Sequence, residues 1–380
     1  MYFFFLLFFL SGFAIYFSNQ YDNLNINIKK FFPFEIFYLL TFFLIFSFYI
    51  IFSSQGTDFT TYNKNYYELS KENLDYFFIK KNIFDGFLFK LLGLVFIKFK
   101  LSFFYYILIF KFLFIVGFFL LTKNCFLNKK NNIWIPLNFF CINFLSIQSI
   151  TFLNQISAIG IFFYILSLKR NSFIKDIILG LFAFSCHKTG VIVIFFIFAF
   201  YFIKVFRIKN NFIDIASNKF FFLIIISSTI FSMILFNFKF NNFVVPGDQL
   251  YYLNESTFGF VFRSFYIFLI YLFFIHFCKE YEKILDRDIF IFIHISFFFY
   301  LFLIIISVGF STISDRLLLY SYPFVFLILA SSLNFKFFNK KTVIFIFVLT
   351  NFFLLNLWLK FSPHSIHYFS FQTNLLIFNN

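Results

Sequence analysis

Polar sequence in this chain is confined to short gaps. The longest stretch with the composition of soluble protein runs only from Ser53 to about Phe84, and nearly everything around it is continuous hydrocarbon. A water-soluble domain has to alternate buried and exposed faces. With mean hydropathy at +0.89 and 62% of residues hydrophobic, that alternation is rare here. The fold class that fits is an all-α, polytopic integral membrane protein. Lipid is then the solvent, and the few polar residues are where chemistry belongs.

A span needs about 20 apolar residues. Candidate spans fall near 2–17, 33–53, 101–121, 133–150, 153–168, 220–237, 261–278, 289–308, 317–333 and 342–358. The apolar N-terminal run Met1–Phe17 lacks a basic flank and a small-residue cleavage site, so a retained span is expected there. The run from Asn171 to Ile203 is too long for one helix and is interrupted by Ser185-Cys186-His187-Lys188-Thr189-Gly190. Two short spans meeting at a polar turn bring the expected total to about 12. The chain reads as one membrane domain, 1–380, with a long outer loop at about 53–100, a second outer loop at 237–260 and a short tail at 359–380. Within the long loop, the segment 84–97 carries Asp85 and Lys90 and is read as a re-entrant or interfacial helix, with a full crossing as the alternative.

The formal charge of +15 does not point to nucleic acid. Lys and Arg sit in clusters between apolar runs, as at Lys29-Lys30, Lys129-Lys130, Lys169-Arg170 and Lys340-Lys341. No basic stripe crosses a polar surface. Such clusters are what cytoplasmic loops carry. They assign the loop after Ser53, the turns at Ser146–Leu153, His187 and Ser311–Arg316, and the 237–260 loop to the outer side. The 84 Phe residues read as generic lipid-facing filler rather than a stacking platform. The 4 cysteines are scattered without metal-ligand spacing and read as small apolar residues, and His364 with His367 lacks accompanying carboxylate or thiolate ligands.

Several polar features converge on the outer side in that topology. Gly56-Thr57-Asp58, followed by Tyr62 and Tyr66, stands just past a span, where an ordinary helix exit is the competing reading. Asn154-Gln155 begins a span and offers amides either to a ligand or to helix capping and interhelical bonding. His187-Lys188 lies in the interrupted span, where half-helices are expected to expose backbone N–H groups to an anion. Val245-Pro246-Gly247-Asp248 with Tyr251-Tyr252 is strong turn chemistry. Arg263 follows at a span start, as a phosphate contact or a snorkelling anchor. Ser314-Asp315-Arg316 sets an acid and an arginine beside hydrocarbon, where Arg can fork onto phosphate oxygens.

Taken in order, these residues resemble the EpsG/Wzy-type polysaccharide polymerase family of bacterial inner-membrane proteins. Gly56-Thr57-Asp58 with Tyr62 is similar to the family's first outer-loop Gly-x-Asp…Tyr element. Asp85-Gly86-Phe87 resembles the acidic-Gly-aromatic step that follows. Asn154-Gln155 through Ala158 resembles an Arg-Gln…Ala span start, with Asn154 standing where the family usually has Arg. Cys186-His187-Lys188-Thr189 resembles a Phe-His-x-Ser turn, and Asp315-Arg316-Leu317 through Tyr320 an acidic-Arg-Leu…Tyr element.

The resemblance implies a glycosyltransferase that joins undecaprenyl-diphosphate-linked oligosaccharide repeats at the periplasmic or outer face, working beside flippase and chain-length regulator proteins. It implies no cofactor and no nucleotide sugar, in keeping with the lack of a phosphate-cradling Gly-rich loop. Arg316 is then expected to hold the diphosphate with help from Lys188 and Arg263. Asp58 and His187 are the candidate bases, Asp315 orients Arg316, and Asn154, Gln155 and Tyr62 contact substrate. The rival expectations are a flippase for the same lipid-linked glycan, a ligase-like enzyme, and a solute transporter. A flippase needs charges along a central cavity, and Lys111 is the charge that falls deep in a span.

Overall fold

The computed structural model describes residues 63–64, 66–67, 86–124, 153–168, 172–205, 257–307, 311–332 and 335. Among these residues every regular element is helical. The elements are α1 (Phe87–Lys98), α2 (Phe103–Asn124), α3 (Leu153–Ser167), α4 (Phe173–Cys186), a 3-10 turn (Lys188–Gly190) and α5 (Val191–Val205). They continue with α6 (Thr257–His276), α7 (Cys278–Ile284), α8 (Arg287–Ser307), α9 (Ser311–Leu318) and α10 (Tyr322–Ser332). The expected spans at 2–17, 33–53, 133–150, 220–237 and 342–358, and the tail at 359–380, lie outside the described residues.

Small residues set the closest contact. A Cβ on Gly117 of α2 would collide with the Gly160 carbonyl oxygen of α3, and one on Gly160 would stand 2.6 Å from the Phe114 Cα. Backbones can approach this closely only where side chains are absent. Further along, the Asn124 side-chain amide donates to the Ser167 carbonyl at 2.9 Å. The pairs 117/160 and 124/167 advance together, so α2 and α3 run in the same direction. Tyr66 locks onto the start of α2, donating to the Leu101 carbonyl at 2.8 Å and packing on Phe103 and Tyr106.

α6 and α8 are antiparallel and share a polar seam that continues into the start of α7. Tyr300 donates to the Ser264 carbonyl at 2.7 Å. Tyr271 and Ser296 pair their hydroxyls. Cys278 meets His294 Nε2 at 3.7 Å, while His294 Nδ1 donates to the Phe290 carbonyl. Buried hydroxyls in apolar surroundings need such partners. At Phe277 the apolar run ends and the chain bends by 83° into α7. That bend keeps Cys278, Tyr281 and Leu285 buried while Lys279, Glu282 and Lys283 stay exposed.

Aromatic rings fill the interior as well as its outside. Phe200 stacks on Phe292 with centroids 4.6 Å apart, and Phe196 stacks on Phe324. Phe162 sits edge-on to both Phe196 and Phe324. All five are fully buried, whereas Phe112, Phe195 and Phe302 are exposed. The expectation of Phe as lipid-facing filler therefore covers only part of its use. Stacked and edge-on rings supply contact area there alongside buried Ile and Leu side chains.

Residues Phe87–Lys98, at the place of the expected re-entrant or interfacial helix, form α1, whose 12 residues reach about 18 Å, less than a bilayer core. Two expectations about helices change. The expected span at 317–333 is divided into α9 and α10. Pro323 explains the division, because its ring would collide with the carbonyl four residues earlier in a continuous helix. The start of the long α6 also takes residues 257–260 from the expected second outer loop. Among the described residues α8 is long and apolar enough to cross a membrane, and α6 with α7 also qualifies if the bent pair is one span. The break expected inside 171–203 is present at His187–Gly190.

Candidate functional site

α9 is short, and its end creates the first contact. Tyr320 N bonds back to the Leu317 carbonyl and Ser321 N to the Leu318 carbonyl. This tightened turn takes the N–H groups that a continuing helix would have given to Arg316 and Leu317. The Arg316 carbonyl is thus one of the acceptors that a helix C-terminus leaves over. Gln155, almost fully buried at the start of α3, donates its Nε2 to that carbonyl at 2.6 Å across 161 positions.

The second contact is ionic. Arg263 Nε donates to Asp315 Oδ1 at 2.9 Å and its terminal nitrogen to Oδ2 at 2.7 Å. The side chains are 28% and 23% exposed. Two parallel charge-assisted bonds in a part-dry site form the strong geometry for this pair. Tyr322, at the start of α10, stands beside both charges. Both carboxylate oxygens of Asp315 are thus engaged by Arg263.

The third contact joins the interrupted span to the turn after α9. His187 leaves α4 in extended conformation and caps the 3-10 turn, its Nδ1 accepting from Thr189 N at 3.2 Å. Thr189 Oγ1 lies 2.7 Å from the same Nδ1 and 3.0 Å from the Tyr320 hydroxyl. Gly190 N donates to the His187 carbonyl at 2.7 Å. A Cβ at Gly190 would overlap the Ala183 carbonyl and stand 2.6 Å from Phe184 N, so glycine lets the turn sit against the end of α4. The expectation that this turn offers bare N–H groups to an anion is corrected here. His187 takes those of Thr189 and Gly190 with its own ring and carbonyl.

The structure thus brings Gln155, His187, Arg263, Asp315 and Arg316 together around α9 and the turn behind it. Lys188 is exposed on the 3-10 turn, and Asn154 lies in the first turn of α3 next to Gln155. Asp58, Tyr62 and the Val245–Asp248 turn lie outside the described residues. Thr189 and Tyr320 join the site through these contacts, beyond the residues the sequence singles out. The available signal was spacing: a Thr two residues after a helix-breaking His is within reach of that ring. Tyr320 follows Arg316 by four residues, past the end of its helix.

The family model described as the EpsG family matches the chain over residues 35–373. No curated protein and no solved structure matches it. The matched range contains every site residue named above, from Asp58 to Arg316.

Proposed function

The chain belongs to the EpsG family, and on that premise we propose that it polymerises polysaccharide repeat units carried on undecaprenyl diphosphate. The proposed setting is a bacterial inner membrane crossed by about 12 helices, with the site opening on the outer face. The observation that carries the reading is α9 held as a hub by Gln155, Arg263 and the Thr189–Tyr320 contact. These contacts fix the backbone of Arg316 and bring it together with His187.

In the proposed step, a hydroxyl oxygen of the non-reducing-end sugar of one repeat attacks the anomeric carbon of the growing glycan. The bond from that carbon to the lipid diphosphate breaks. The diphosphate leaves with the electron pair, and the hydroxyl proton passes to a base. A cation that meets the charge developing on the leaving group lowers the barrier. Arg316 has that part, with exposed Lys188 assisting. Arg263, bound through both nitrogens to Asp315, holds α9 in place instead. The proton goes to Asp58, a carboxylate at the mouth of the bilayer in the sequence reading. A flippase supplying repeats and a chain-length regulator are the expected partners.

Arg316→Ala tests the reading. Cells with the variant at equal expression should lose long polymer and display single repeats on lipid carrier outside. Normal polymer would remove Arg316 from the reaction. Repeats trapped inside would instead identify a flippase.

A further inference from the structure

Asp315 occupies one edge of the Arg263 guanidinium and leaves the other. The pair takes the N–H of Nε and one N–H of Nη2. Nη1 carries further donors. Among the described residues it has no hydrogen-bond partner, and it is not buried. Each Asp315 oxygen accepts one bond from Arg263, and an ionised carboxylate has lone pairs for more. The side chains keep 28% and 23% of their surface open, so donors and acceptors stand side by side within reach of a ligand. Their planes are set before a ligand arrives, because two parallel bonds hold them. Tyr322 stands beside both charges, and Tyr266, one turn along α6 from Arg263, stands beside Tyr322.

The pair has no net charge. A diphosphate oxygen that approached Nη1 would meet the Asp315 carboxylate as well, and that repulsion would offset the attraction. A sugar hydroxyl both donates and accepts. Two neighbouring hydroxyls on one ring can therefore take an N–H from Arg263 and give an O–H to Asp315 at the same time. We infer that the Arg263–Asp315 pair is a sugar subsite, which binds two adjacent hydroxyls of the glycan repeat while it holds α9 in place. This rests on the proposed polymerase reading for the identity of the glycan. It divides the work of the site, with the diphosphate recognised by Arg316 and the sugar hydroxyls by the pair. A site built to bond a substrate hydroxyl rejects an analogue that lacks it far more strongly than an apolar pocket does, so the pair is a place where sugars are told apart.

The test measures binding to the full chain in lipid nanodiscs with two probes. One is undecaprenyl diphosphate without sugar. The other is the same lipid carrying the repeat, extracted from cells of the same source that lack this chain. Two variants separate binding from support of α9. Arg263→Asp combined with Asp315→Arg keeps an ion pair but exchanges the places of donors and acceptors. Arg263→Lys keeps the charge and removes Nη1. The wild type should bind the repeat at least tenfold more tightly than the bare lipid. Both variants should melt close to the wild type, keep its affinity for the bare lipid, and lose at least tenfold in affinity for the repeat. Should the exchanged protein fail to fold, Arg263→Lys decides. A folded variant that binds the repeat like the wild type overturns the inference and leaves the pair as a tie for α9. So does a variant that loses both probes in equal measure, because the pair would then serve the anion, and so does a wild type that binds both probes alike. A wild type that prefers the repeat through this pair yet joins no repeats leaves the inference standing and defeats the polymerase reading. Normal polymer from an Arg263→Lys protein with unchanged repeat affinity does the reverse.

Discussion

The residues of the site divide by what they can still do once their partners are counted. Arg263 and Asp315 use their charges on each other, so removing either leaves its partner part-buried and uncompensated. Breaking such a pair costs more than the pair contributes, since the remaining charge keeps the desolvation penalty. Arg263→Met and Asp315→Leu should each lower thermal stability, and the double variant should recover part of the loss. The coupling expected for contacting charges is roughly 0.5–3 kcal/mol, readable from melting of the detergent-solubilised protein. Strictly additive losses would mean that the pair does not hold α9. The sequence marked Asp315 and Arg263 as separate features because it supplies no distance between positions 52 apart. Gln155 was legible as an interhelical amide, whereas its acceptor, a main-chain carbonyl, has no sequence signature at all. Thr189 and Tyr320 were hidden for a related reason, because a hydroxyl is informative only when its partner is known.

The elements were legible where apolar length decides, and were missed where one residue interrupts. The helices α2, α3, α6 and α8 fall close to the runs at 101–121, 153–168, 261–278 and 289–308. The break after Cys186 was readable because its polar residues are consecutive. Pro323 is plain in the sequence, but hydropathy alone does not report the clash it makes with the turn before it. The resulting separation of α9 from α10 creates the left-over carbonyl that Gln155 takes. A similar dependence exists at Gly190, where the turn rests on the backbone of α4. Gly190→Ala forces a Cβ into the Ala183 carbonyl. Overpacking of this kind costs about 1–3 kcal/mol, and the turn of 3 residues should yield rather than the helices of 14 and 15 residues on either side. The expected result is loss of polymer with little change in helical content by far-UV circular dichroism. Wild-type polymer length in Gly190→Ala would show that the turn tolerates displacement and that His187 need not stand where it does.

At the scale of the whole molecule, direction matters more than any single contact. α2 and α3 run the same way along the bundle. α3 and α4 then reverse. α4 runs up to His187 and α5 runs away from it, while α6 leaves Arg263 and α8 returns antiparallel to it. Gln155, His187, Arg263 and Arg316 consequently gather toward one end. Lys175, Lys204, Lys279, Lys283 and Arg287 lie at the helix ends pointing the other way. That separation agrees in sense with basic residues kept on the cytoplasmic side, and under the proposed reading the site faces the opposite surface. The orientation is testable in a cysteine-free background with single exposed positions changed, Lys188→Cys at the site end and Lys279→Cys or Arg287→Cys at the other. A membrane-impermeant thiol reagent added to intact spheroplasts should label the first and spare the other two, and inside-out vesicles should reverse the pattern. Labelling of all three from one side would show that the helices do not separate the site from the basic end. A reversed pattern would put the site in the cytosol, where a lipid-linked repeat delivered to the outer leaflet cannot reach Arg316.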